Sequence, residues 1–141
     1  MPLVNFNLLK SDVCESQIER LIKQSSELYA DVLECPIERV RIYINLFDRA
    51  HVGVAGDLVA FNHINAPYFD FIVLDGRSLD QRRRLAEGFT DLLVSIFAVD
   101  KSLIRGSCRK ILPEDWSIGG ILASELRKNE IQNRAEATQK N

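Results

Sequence analysis

The chain repeats itself once at a period of 64 residues, and no other feature limits its fold as strongly. Gln17 and Leu21 stand 64 positions before Gln81 and Leu85, and Val40-Arg41 stand 64 before Ile104-Arg105. Val52-Gly53-Val54-Ala55-Gly56 stands 64 before Trp116-Ser117-Ile118-Gly119-Gly120. Pro2 and Pro67 are 65 apart, so one extra residue lies between Leu9 and Glu15. Two like units in one chain each leave a hydrophobic face that the other unit covers.

Within each unit the hydrophobic period changes in the same order. Leu3 to Leu9 reads as a strand with apolar residues on both faces, Val4, Phe6 and Leu8 against Leu3 and Leu9. Asp12 to Glu15 has capping-box spacing, and Ile18, Leu21, Ile22, Leu28, Tyr29 and Val32 then recur at helical steps until Pro36 ends the run. Val40 to Leu46 alternates as a second strand, and the small residues from His51 to Gly56 read as a hairpin arm. The second half repeats this with a strand from Tyr68 to Leu74 and a capping box at Ser78 and Gln81. A helix through Leu85, Phe89, Leu93 and Phe97 follows, then a strand from Leu103 to Leu112 and a turn at Ser117 to Gly120. A crossover helix makes the strands of each unit parallel. The expected fold is therefore α/β (α+β): tandem β-α-β repeats forming a four-stranded sheet with two helices on one face. Residues 1–128 form one domain in this reading, with repeats at about 2–62 and 67–128. The open sheet face is expected to be covered by neighbouring subunits. The polar residues from Asn129 onward, a tail over 129–141, are expected to fray.

Eighteen basic residues against twenty acidic ones leave a formal charge of -2, too little positive field for a nucleic-acid protein. Cys14, Cys35 and Cys108 are odd in number and widely spaced, which fits neither a disulfide framework nor a zinc site and points to a reducing, cytoplasmic compartment. His51 and His63, the two histidines, read as loop residues. No run is long enough to span a membrane, and no signal peptide opens the chain. No metal or cofactor is expected.

Pro2 follows the initiator Met1, whose removal would leave a secondary amine at the start of the chain. An α-amino group has a pKa of about 7.7 to 8, and apolar burial or nearby cations lower it further, which suits a general base at neutral pH. Arg77 lies where a second helix begins, a position that the helix dipole makes unfavourable for a cation unless it binds something. A planar guanidinium there suits a carboxylate or keto acid. Arg82-Arg83-Arg84 reads as a solvated helix face.

These residues resemble the tautomerase superfamily, typified by 4-oxalocrotonate tautomerase. The likeness rests on Pro2, on Cys35-Pro36-Ile37-Glu38-Arg39-Val40-Arg41-Ile42, on His51 to Gly56 and on Leu74-Asp75-Gly76-Arg77-Ser78, and it covers residues 2 to about 128. The chain is similar to the long, fused members that assemble as trimers, and Pro113 to Gly119 resembles malonate semialdehyde decarboxylase around its active-site tryptophan. The resemblance implies a MIF-like fold and a cofactor-independent isomerase, a homotrimer, acting on a small enol or keto carboxylate. It also implies Pro2 as the catalytic base, Arg77 as catalytic and substrate-binding, and Trp116 as a substrate-binding wall. Arg105 and Arg41 both match the second family arginine, with Arg105 favoured as a catalytic group reaching in from a neighbouring subunit. Pro67, an internal residue, has an amide nitrogen and is no base. Lys10-Ser11-Asp12 stands where the first half would need its own arginine, so one site per chain is expected. The decarboxylase's first-half aspartate falls at Arg39 here. A hydratase or decarboxylase of a small unsaturated or keto acid, with Glu114, Asp115 or Glu38 beside the pocket, is the alternative chemistry. A non-catalytic trimeric binding protein is the alternative without chemistry.

Overall fold

A computed structural model describes residues 2–140. Strand β1 (Leu3–Leu9) leads through a short 3-10 turn into helix α1 (Glu15–Leu33), then β2 (Arg41–Phe47), the hairpin β3 (Gly53–Val54) and β4 (Asp57–Leu58), and the short α2 (Val59–Asn62). The second half follows the same order: β5 (Tyr68–Leu74), α3 (Leu79–Phe97), β6 (Arg105–Ile111), the hairpin β7 (Ser117–Ile118) and β8 (Ile121–Leu122), and the short α4 (Ala123–Leu126). Helix α5 (Lys128–Lys140) has no counterpart in the first half. Among the described residues, no helix is long and apolar enough to cross a membrane.

The main sheet has the order β2-β1-β5-β6. Its outer pairs are parallel, as a crossover helix requires, and the central pair β1–β5 is antiparallel. Val4, Phe6 and Leu8 of β1 and Phe69, Phe71 and Val73 of β5 are buried and face the two helices, which contribute Leu21, Tyr29, Leu85, Phe89 and Leu93. Phe89 is the hub of this core, with Phe6, Tyr29, Phe69 and Phe71 set edge-on around it at centroid distances of 5.3–5.7 Å. Edge-on contacts set the positive ring rim against a negative face, so the cluster gains orientation as well as burial. The buried Tyr29 hydroxyl donates to the Ile72 carbonyl and lies 3.3 Å from that of Leu3, at the seam between the halves, and burial pushes its pKa up.

Two expectations are corrected. Helix α1 is capped by Cys14 with Gln17, not by Asp12, because Asp12 sits in the preceding 3-10 turn and turns its carboxylate to Arg49 at 2.6 Å. The sheet face opposite the helices, expected to be covered by neighbouring subunits, carries Leu3, Tyr43, Phe47 and Ile72 together with paired polar side chains, where Asn5 donates to Asp70 at 3.1 Å, Asn45 to Asn7 at 3.2 Å, and Tyr68 lies 2.9 Å from Ser107. The fully buried apolar residues of β1 and β5 alternate with this set and face the helices. The expected frayed tail is instead helical as α5, with charged residues three and four apart brought onto one side.

Both hairpins turn through two residues at positive φ, Ala55 and Gly56 in the first and Gly119 and Gly120 in the second. Type I′ geometry demands this and matches the strands' twist. On edge strand β6, Gly106 lies opposite Phe69, and a Cβ there would sit 2.3 Å from the Phe69 ring. Phe69 is buried in the hub and has no space to retreat. Gly106→Ala is therefore expected to destabilise the chain by about 1–3 kcal/mol, the usual cost of overpacking. Urea denaturation followed by far-UV circular dichroism would measure it, and an unchanged midpoint would contradict the account.

Candidate active site

Antiparallel pairing of β1 with β5 places Leu3 opposite Ile72, so Pro2 at the head of β1 lies beside the tail of β5. The crossover returns β2 alongside, and the Pro2 carbonyl accepts from the Arg41 amide at 2.8 Å. Pro2 is fully buried, at the bottom of a small pocket also formed by Leu33, Cys35, Val73 and Leu74. The pocket's charged rim comes from three places: Arg39 from the turn before β2, Arg77 from the turn before α3, and Arg127, Glu130 and Arg134 from the C-terminal helical segment. Gly76, at φ 106°, permits the reversal that carries Arg77 back over the sheet end.

Each guanidinium is held differently. Arg77 donates to the Leu33 carbonyl at 2.8 Å, using the open C-terminus of α1 as its anchor. Burial, and then the like charge of Arg134, lower its pKa to about 10, while Cys35, Glu34 and Glu130 oppose the fall. Arg39 forms a two-point pair with Glu130, at 3.0 Å on each nitrogen, and the hydrogen bond raises the arginine's pKa and lowers the carboxyl's. Burial lowers the pKa of Arg134, and Glu130 partly restores it. Cys35 is shifted upward by burial against the pull of Arg77 and Arg39, which favours its neutral thiol. Such a cluster holds an excess of positive charge over the buried Pro2, which suits binding a small anion.

Of the sequence-derived residues, Pro2 and Arg77 meet in this pocket. Arg105 starts β6 at the other end of the sheet, where its amide donates to the Pro67 carbonyl at 3.1 Å and its side chain to Ser102 and Ile104 carbonyls at 2.7 and 3.1 Å. Arg41 repeats that arrangement at the Pro2 end, its side chain tied to the Glu38 and Val40 carbonyls at 2.8 and 3.1 Å. Trp116 precedes the second hairpin and does not line the Pro2 pocket, nor do Glu38, Glu114 or Asp115. Removal of Met1 concerns a residue outside those described. A second, roomier pocket of about 490 Å³ surrounds Pro67 and is bordered by Phe47, His51 and Asp70. Nearby, Arg49 bridges Asp12 and His63, at 2.6 and 2.9 Å, and of these Asp12 lies in the first half's equivalent of the Arg77 turn.

Arg39, Arg127, Glu130 and Arg134 are the residues that sequence reasoning missed. A signal existed for the last three: Arg127, Ile131 and Arg134 recur at four and three residues, one side of a helix, with Glu130 beside them. The polarity of the segment hid it.

Known proteins resemble this chain in sequence and in fold. The family model for tautomerase enzymes matches residues 2–62. The 2-hydroxymuconate tautomerase of Pseudomonas sp. (strain CF600) is 37% identical over 57 residues, which is 40% of this chain and 89% of that protein. The solved structure of a native fused 4-OT superimposes with a TM-score of 0.82 at 23% identity, over 89% of this chain and 98% of that one. A wild-type fused 4-OT solved as an asymmetric trimer gives 0.78 at 21% identity, over 88% and 98%. The short relative thus aligns with one half, and the fused structures span both.

The Arg39–Glu130 pair carries a pH dependence. Because the Glu130 carboxyl titrates below its ordinary range, the pair's contribution is complete above the unfolded carboxyl value and is lost as pH falls through the depressed folded value. Carbon chemical shifts of α5, followed by NMR below pH about 4, should move toward coil values. Arg39→Gln should shift them partway at neutral pH, and an acid-insensitive α5 would contradict the role of the pair.

Proposed function

The chain belongs to the tautomerase family, as a long, fused two-unit member, and on that premise we propose that it is a cofactor-independent tautomerase of a small enol or keto carboxylate. The observation that carries this reading is a buried Pro2 beneath the guanidinium groups of Arg39, Arg77 and Arg134. Once Met1 is removed, the Pro2 nitrogen is a secondary amine whose ammonium form those cations disfavour, leaving a free base at neutral pH. It takes the enol O–H proton and returns it to carbon, so the double bond migrates with no net redox change. Arg77 binds the substrate carboxylate. Arg105, entering from a neighbouring subunit of a homotrimer, stabilises the negative charge that grows on the dienolate oxygen. The trimer assignment draws on the fused 4-OT structures. Val73, Leu74 and Ile131 take the wall role expected of Trp116 within the chain. The repeats at about 2–62 and 67–128 make one catalytic domain, to which α5 adds a cover. Three free cysteines support a reducing, cytoplasmic setting.

The test uses 2-hydroxymuconate, the compound in the relatives' name. Pro2→Ala is expected to lower kcat/KM by about 10²–10⁴-fold, the range for loss of a general base, and to abolish labelling at residue 2 by 3-bromopropiolate. Arg77→Ala is expected to raise KM. Full activity in Pro2→Ala would sink the mechanism, and a retained Met1 in the intact mass would favour a non-catalytic binding role.

A further inference from the structure

The Pro2 pocket is closed from inside. Its open volume is about 30 Å³, room for about two or three water molecules, whereas small-molecule sites run to several hundred. The C-terminal helix does the closing, inserting Glu130 and Ile131 at the rim. Glu130 presents both carboxylate oxygens to Arg39 in the fork geometry that a bound carboxylic acid would adopt. Ile131 is the one large apolar residue of α5. A helix with so little apolar burial opens at low free-energy cost.

We propose that Glu130 is an internal stand-in for an anionic ligand, and that a small carboxylate enters the pocket by taking its place on Arg39 and releasing the C-terminal helix. Arg39 then serves as a ligand-gripping residue that works beside Arg77, and Glu130 sets a threshold that weakly bound anions do not pass. The inference rests on the Pro2 pocket being the ligand site, though not on Pro2 acting as a base. The exchange keeps a carboxylate on Arg39, and Glu130 and Arg134 leave the rim together with the helix, so the departing side chains carry no net charge. The released Glu130 regains water.

The test is calorimetric titration of the full chain with pyruvate, paired with hydrogen exchange of the peptide covering residues 129–140. Glu130→Gln is expected to bind pyruvate about threefold to fivefold more tightly than wild type, the scale of losing one partly exposed ion pair as competitor. Arg39→Gln is expected to free the helix equally but to bind pyruvate more weakly than wild type. Pyruvate should speed exchange across α5 in the wild-type protein. Equal affinities of wild type and Glu130→Gln overturn the proposal, as does the absence of binding to either, or a helix that exchanges more slowly with pyruvate present. If Arg39→Gln binds as tightly as Glu130→Gln, Arg39 only anchors the helix, and its assignment as a ligand residue fails. Neither measurement needs turnover, so an inert Pro2 would leave these outcomes standing.

Discussion

The antiparallel seam between β1 and β5 is the interaction on which the rest of the molecule depends. Each repeat alone is a pair of parallel strands under one helix, too small to bury its own face. Joined through β1 and β5, the halves share a single aromatic hub at Phe89, and Tyr29 spans the seam to the Ile72 carbonyl. The antiparallel direction has a second effect, because it sets the head of β1 beside the tail of β5. Pro2 therefore meets residues that are remote from it in sequence, Val73, Leu74 and Arg77. A parallel seam would have put Pro2 beside Pro67.

The same pairing makes the two ends of the sheet formally alike and chemically different. At each end a proline carbonyl accepts from an arginine amide, Pro2 from Arg41 and Pro67 from Arg105. The Pro2 end then collects an excess of guanidinium charge, and an amine there would be held neutral. At the Pro67 end the nitrogen is an amide, and the local arginine, Arg49, is spent on Asp12 and His63. Duplication gave two equivalent positions, and side-chain chemistry at the turns before α1 and α3 separated them.

The fold was legible in the sequence because it rests on periodicity, which is local and repeated. The Ser78–Gln81 cap and the strand from Tyr68 to Leu74 stand where the sequence puts them. The cap at Asp12 was misplaced because a carboxylate has two uses, and the ion pair to Arg49 at 2.6 Å outcompeted the helix end. Such a contest is decided by a residue 37 positions away, beyond any window of local pattern. The polar pairs of the open sheet face were illegible for a related reason, since Asn5, Asp70, Asn7 and Asn45 look like scattered polar residues until the register aligns them.

By itself the sequence determined the repeat and the strand and helix order. Those features depend on residue type and spacing along the chain. Only the tertiary structure decided which cations share the pocket with Pro2, and that a segment rich in Glu, Gln and Asn is a helix that closes it. Arg39 and Glu130 lie 91 residues apart, and their two-point contact exists because the β6 end and the second hairpin carry the C-terminal helix back across the sheet to the Pro2 end. Charge pairing at such separation depends on where the backbone has already been folded. Composition and period say nothing of it.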